Sequence, residues 1–208
     1  MKLIKVEGTE EIKDFMIGKY PVTQKQWKNV MGNNPSYFKG KKLPVEQVSW
    51  FDAIEFCNAK SLKEGLTPAY TYKKVKDNEL VDVKEVPNVN GYRLPTSQEW
   101  EYAARGGNKS KGYKYSGSND LEEVAWYEDN SDNKTHEVGT KQPNELGVHD
   151  MSGNVWEWCW DLYDNTNYRV LRGGSWYSYG SSCEVSDRGN YGPYSRYGSY
   201  GFRVCRLL

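Results

Sequence analysis

This sequence is short of cysteine and histidine, has no excess charge of either sign and no long apolar run, and each shortage removes a class of function. Its 28 Lys and Arg balance 28 Asp and Glu, so no global field recruits nucleic acid or an anionic membrane. No apolar stretch reaches the roughly 18 residues that a membrane-spanning helix needs. The opening "MKLIKVEGTEEIKDF" lacks the apolar centre of a signal peptide, so the chain as given reads as soluble. Four cysteines, Cys57, Cys159, Cys183 and Cys205, are scattered without metal-ligand spacing. They signal neither a zinc site nor a dense disulfide framework, and leave up to two disulfides open.

What is abundant is aromatic: eight Trp and 17 Tyr in an otherwise polar chain supply contact area for a loop-rich core or for a recognition surface. The 208 residues are long enough for one sizeable core and are read as a single domain, 1–208. "FMIGKYPV" reads as a short strand ended by Pro21, after which Thr23 caps a helix with Gln26 at its third position and Trp27, Val30 and Met31 at helical spacing. A second helix starts at Ser49, carries Trp50, Ala53, Ile54 and Cys57 on one face, and stops near Gly65. Segments 70–76 and 79–86 alternate around "KDNE" and predict a hairpin. In "RLPTSQEWEYAARGG", Thr96 and Glu99 form a capping box for a third helix that Gly106 stops. Residues 107–147 read as long surface loops interrupted by "VAWY". "DMSGNVWEWCWDLY" predicts a strand with Trp156, Trp158, Trp160 and Leu162 on a core face and Val155, Glu157, Cys159 and Asp161 opposite.

"YRLPTSQEWEYAARGG", "GVHDMSGNVWEWCWD", "RVLRGGSW" and "GFRVCR", with "YPVTQKQW" near the start, resemble the ordered motifs of the formylglycine-generating-enzyme (sulfatase-modifying factor) family. The resemblance implies an α+β, C-type lectin-like fold with few helices, short twisted antiparallel strands and many irregular loops. Active members oxidise a substrate thiol with two copper-binding cysteines. Counted back from Gly201, those places hold Gly180 and Val185, so no copper and no oxidase activity are expected. A related iron-dependent branch needs three histidine ligands, and this chain has only His136 and His149. The resemblance also aligns Asp150, Gly153, Val155 and Glu157 with the family's calcium ligands, which would form a structural Ca²⁺ site of two carboxylates and two backbone carbonyls.

Without catalysis, the C-terminal stretch needs its own explanation. From Tyr177 to Tyr200, six of 24 residues are Tyr, six Ser and four Gly, the palette of antibody-type contact surfaces. Val185, Arg188, Pro193 and Arg196 interrupt it as scaffold positions. Tyr, Ser, Gly, Asn, Asp and Cys are all reached by replacing adenines of an Asn codon, and the pattern resembles the variable proteins of diversity-generating retroelements. The expected function is therefore non-catalytic binding through a diversified segment, 177–200. Its contact residues are Tyr177, Tyr179, Ser181, Ser182, Asp187, Asn190, Tyr191, Tyr194, Ser195, Tyr197 and Ser199. Cys183 is open between a varied residue, a core residue and a disulfide partner of Cys205. The partner is expected to be a macromolecule, most simply a protein met by a monomer at a cell surface or outside the cell, where a leader or lipid anchor would place it. The alternatives are a copper-dependent formylglycine-generating oxidase and a Ca²⁺-dependent glycan-binding lectin.

Overall fold

The computed structural model describes residues 1–75 and 80–208, and the expected "KDNE" turn lies outside the described residues. Its elements are β1 (Leu3–Val6), β2 (Phe15–Gly18), α1 (Gln24–Met31), α2 (Trp50–Lys63), β3 (Tyr70–Lys74), β4 (Leu80–Glu85), α3 (Ser97–Ala104), α4 (Leu121–Val124), β5 (Trp156–Leu162), β6 (Arg169–Arg172), β7 (Gly189–Tyr191), β8 (Tyr200–Gly201) and β9 (Cys205–Leu207). The strands form a three-stranded sheet β1-β2-β9, a pair β3-β4 and a four-stranded sheet β7-β6-β5-β8. Local chemistry sets the helix starts. Thr23, Ser49 and Thr96 each accept the backbone N–H three residues on, while Gln26, Asp52 and Glu99 reach back to the cap N–H, so two orphan donors are satisfied at each start.

Burial along β5 departs from the simple alternation expected. Trp158 packs with α1 and α2 in a cluster that includes Trp27, Trp50, Phe56 and Phe202. Cys159, on the other face, packs with Trp100, Phe15, Ile17 and Val170. The strand thus lies between two core clusters and buries both faces at its centre, while Leu162, expected inside, is 48% exposed. The 107–147 region is also not all surface loop. Tyr115, Val124, Ala125 and Tyr127 form a third small cluster that receives Cys183.

Candidate functional site

The Tyr/Ser/Gly segment is held at short intervals by residues outside it. It follows "RGGSW", where Gly173 and Gly174 adopt φ of 90° and 73°. A Cβ on Gly174 would stand 2.7 Å from the Cys183 sulfur, so glycine allows both the left-handed turn and the close approach. Arg172, 2% exposed, donates to the Asp187 carbonyl at 2.7 Å and pairs with Glu101 on α3 at 2.5 Å. Cys183 and Val185 are buried. β7 pairs antiparallel with β6, and the Pro193 carbonyl accepts the Trp50 N–H at 3.1 Å. Arg196 makes a two-pronged pair with Asp52 at 2.7 and 2.9 Å. The Gln47 N–H donates to the Tyr197 carbonyl, and the Trp176 indole to that of Gly198. A loop tied this often has a defined backbone, whatever its composition.

Between these ties the tyrosines point outward. Tyr177, Tyr179, Tyr191, Tyr194 and Tyr197 are 66, 75, 42, 53 and 45% exposed; Ser181 is exposed as well, whereas Ser182, Asp187, Asn190, Ser195 and Ser199 are half-buried. Tyr191, Tyr197 and Tyr200 form a triangle with ring centroids 5.0–5.6 Å apart, and the hydroxyls of Tyr191 and Tyr197 lie 3.1 Å apart. Tyr194 packs on Phe51 at 4.9 Å. Tyr177 leans on Trp176. Tyr179, Ser181 and Ser182 instead belong to the 3-10 turn beside Leu121 and Tyr127.

Two exposed rings outside the segment extend this surface, and sequence reasoning missed both. Tyr168, 51% exposed, joins Asn190, Tyr191, Gly192 and Ser195 around an open groove of about 440 Å³. Tyr37, 72% exposed, packs edge-on to Phe38, which packs edge-on to Trp176. Tyr168 stands just before "RVLR" and was the more readable of the two, since β6 had to deliver its preceding residue beside the segment. Tyr37 carries no such signal in a loop remote in sequence.

The cysteines are placed away from solvent. All four are free and fully buried, so the disulfides left open, including one between Cys183 and Cys205, do not form. Cys183 is a core residue; burial pushes its thiol up to about 12, and burial likewise raises Cys57, Cys159 and Cys205. Thiolates, the reactive form, are therefore disfavoured at every cysteine. Gly180 and Val185 are closed too. A Cβ on Gly180 would come within 2.8 Å of a Leu121 methyl, and Val185 is 1% exposed.

The two carboxylates aligned with calcium ligands are occupied by protein partners. Both Glu157 carboxylate oxygens bond Arg203, at 2.6 and 2.7 Å, and Oε2 also accepts the Trp100 indole N–H at 2.6 Å. Asp150 Oδ2 accepts the Gly139 N–H at 2.7 Å, and burial pushes this carboxyl up to about 6. Gly153 and Val155 would contribute only backbone carbonyls, which neither the Gly153 N–H bond to the Gly173 carbonyl nor the burial of Val155 occupies. The guanidinium of Arg203 already supplies the positive charge that this turn requires. Both Asp150 and Glu157 therefore already have protein partners, and a calcium ion on Glu157 would compete with the buried guanidinium of Arg203. Melting curves with 1 mM Ca²⁺ and with excess EDTA should superimpose within about 1 °C, since linkage stabilises only what binds. A Ca²⁺-dependent rise of several degrees would restore the ion.

The profile of the "Sulfatase-modifying factor enzyme 1-like domain" matches residues 5–208. The chaperone protein LppX of Paenibacillus barcinonensis is 45% identical over 226 residues, covering 94% of this chain and 81% of that protein. The inactive C-alpha-formylglycine-generating enzyme 2 of Bos taurus is 28% identical over 168 residues, covering 75% of this chain but only 46% of that protein. Among solved structures, Treponema denticola variable protein 1 superimposes with a TM-score of 0.84 at 36% identity, covering 100% of this chain and 92% of that one. The motif order, the helix-poor α+β architecture and these matches agree: the chain belongs to the sulfatase-modifying factor enzyme 1-like family and has its C-type lectin-like fold.

Proposed function

We propose that the chain is a non-catalytic binding protein whose tyrosine-rich face takes a protein ligand. One observation carries this reading: five tyrosines between Tyr177 and Tyr197 remain 42–75% exposed on a backbone tied down by Arg172, Cys183, Val185 and Arg196. Rigid, amphipathic rings with few rotatable bonds lose little entropy on binding, and Ser and Asn beside them adapt hydrogen bonds. The closed surroundings of Gly180 and Val185 and the buried thiols argue against copper-dependent oxidase chemistry. The likeness to a variable protein supports diversification of the segment, and a cell-surface setting would give such a face its partner. The encoding DNA tests diversification directly. A nearby near-copy of the last stretch, differing only where its own strand has adenine, is expected; without it and a neighbouring reverse transcriptase gene, the diversification part fails while the binding part stands.

The relative named a chaperone favours a second reading, in which the ligand is an unfolded client rather than a folded partner. Light scattering of a heat-denatured enzyme separates the two. Suppressed aggregation at equimolar chain, lost in a Tyr191→Ala/Tyr194→Ala/Tyr197→Ala variant, supports the chaperone reading; unchanged aggregation supports a folded partner.

A further inference from the structure

A second site lies outside the tyrosine face, in an open cleft of about 600 Å³ lined by Gln24, Lys25, Lys28, Asn29, Asn34, Lys39, Gly40 and Lys41. Four lysines and three carboxamides line it with no carboxylate. That is a sharp local imbalance in a chain whose charges cancel. Elsewhere, Lys5, Lys42, Lys60, Lys73, Lys74, Lys114 and Lys134 each pair with an acid, while others, such as Lys13, Lys63 and Lys141, rest on amide or backbone oxygens singly and not as a cluster. Among the described residues, none of the four cleft lysines does. Lys39 is turned onto the carbonyls of Asn34 and Ser36 and lies near enough to Glu46 to favour its charged form, so Lys25, Lys28 and Lys41 supply most of the free positive charge of the cleft wall.

The cleft is also preformed. Gln24, 2% exposed, accepts from Asn34 Nδ2 at 2.9 Å and the Gly40 N–H at 3.0 Å, and donates to the carbonyls of Phe38 and Pro44 at 2.8 and 3.2 Å. One buried amide thereby fixes the 34–40 loop against α1, with Lys25 and Lys28 one turn apart on the helix face. The amides that open α1 are already spent: Gln24 and Lys25 donate to the carbonyls of Leu43 and Lys41. Any anion would therefore be held by side chains and not by the helix terminus.

We propose that this cleft binds a small polyanion bearing several phosphate groups. Ammonium groups are point charges that suit phosphate without demanding planar, two-pronged geometry. The volume falls within the range of small-molecule sites. No aromatic ring lines the cleft to stack on a base, so the ligand is recognised by its phosphates. A nucleotide tail and a free polyphosphate share that chemistry.

Isothermal titration of the full chain at 50 mM salt with inorganic tripolyphosphate, with ATP and with orthophosphate tests this. Tripolyphosphate and ATP should bind with similar affinity and orthophosphate at least about tenfold more weakly. Binding should fade between 50 and 300 mM salt. Lys25→Glu/Lys28→Glu, both at exposed positions, should lose at least about tenfold in affinity with an unchanged melting transition. Lys109→Glu/Lys111→Glu, an equal charge change outside the cleft, should bind like the unaltered chain. No detectable tripolyphosphate binding, or equal losses in the two pairs, would overturn the proposal. ATP binding far tighter than tripolyphosphate would overturn its phosphate-only basis.

Discussion

Replacing Arg203 with alanine should destabilise the fold by about 3–5 kcal/mol, because it leaves a buried carboxylate without its partner. Arg203 and Glu157 are 0 and 1% exposed. Besides that pair, the guanidinium donates to the carbonyls of Gly18 and His149, each at 2.9 Å, and of Asp150 at 3.2 Å. One side chain from "GFRVCR" therefore ties together β2, the "HDMSGN" turn and β5. In a chain of this size the loss should lower Tm by roughly 10 °C. An Arg203→Met/Glu157→Leu variant should recover part of it, since an apolar pair of similar volume removes the orphaned charge along with its partner. Chemical denaturation of the three proteins measures this, and an Arg203→Ala cost below about 1 kcal/mol would mean that the pair is solvated after all.

Tyr191→Ala/Tyr194→Ala/Tyr197→Ala should cost more than about 100-fold in affinity for the protein ligand, the scale of losing one or two hot-spot rings. The same variant should remain folded. Its ring-to-ring contacts are with one another, Tyr200 and Phe51, and such contacts contribute about 0.5–1.5 kcal/mol each. A modest fall in Tm with complete loss of binding identifies contact residues; retained binding would move the site elsewhere. Arg196→Ala, which frees the Asp52 pair, should weaken binding less, because it loosens the loop without removing a ring.

The helix starts were legible because they are local. Thr23, Ser49 and Thr96 announce themselves by a cap and an acid or amide three residues on, and no distant residue needs to be known. β5 was half legible. Its tryptophans alternate as a strand requires, but nothing near Glu157 and Cys159 says that their face is also buried. The partner that allows it, Arg203, arrives 46 residues later. Cys183 stayed open for the same reason: the cluster that encloses it comes from Tyr115, Val124, Ala125 and Tyr127, in a region that reads as loop. The exposed positions of the tyrosine segment followed from composition and flanking motifs together. Tyr37, Tyr168 and the lysine cleft needed tertiary placement, since scattered tyrosines and lysines carry no period.

The division between a fixed backbone and free outward side chains is the centre of this account, and a display library tests it most directly. The six exposed positions Tyr177, Tyr179, Ser181, Tyr191, Tyr194 and Tyr197 are randomised together, and the fraction of clones surviving protease is read by sequencing. A matched library randomises Arg172, Trp176, Cys183 and Val185. The account predicts that most clones of the first library fold, since exposed substitutions usually change stability by less than about 0.5 kcal/mol, and that nearly all of the second do not. Equal survival of the two libraries, or collapse of the first, would contradict it.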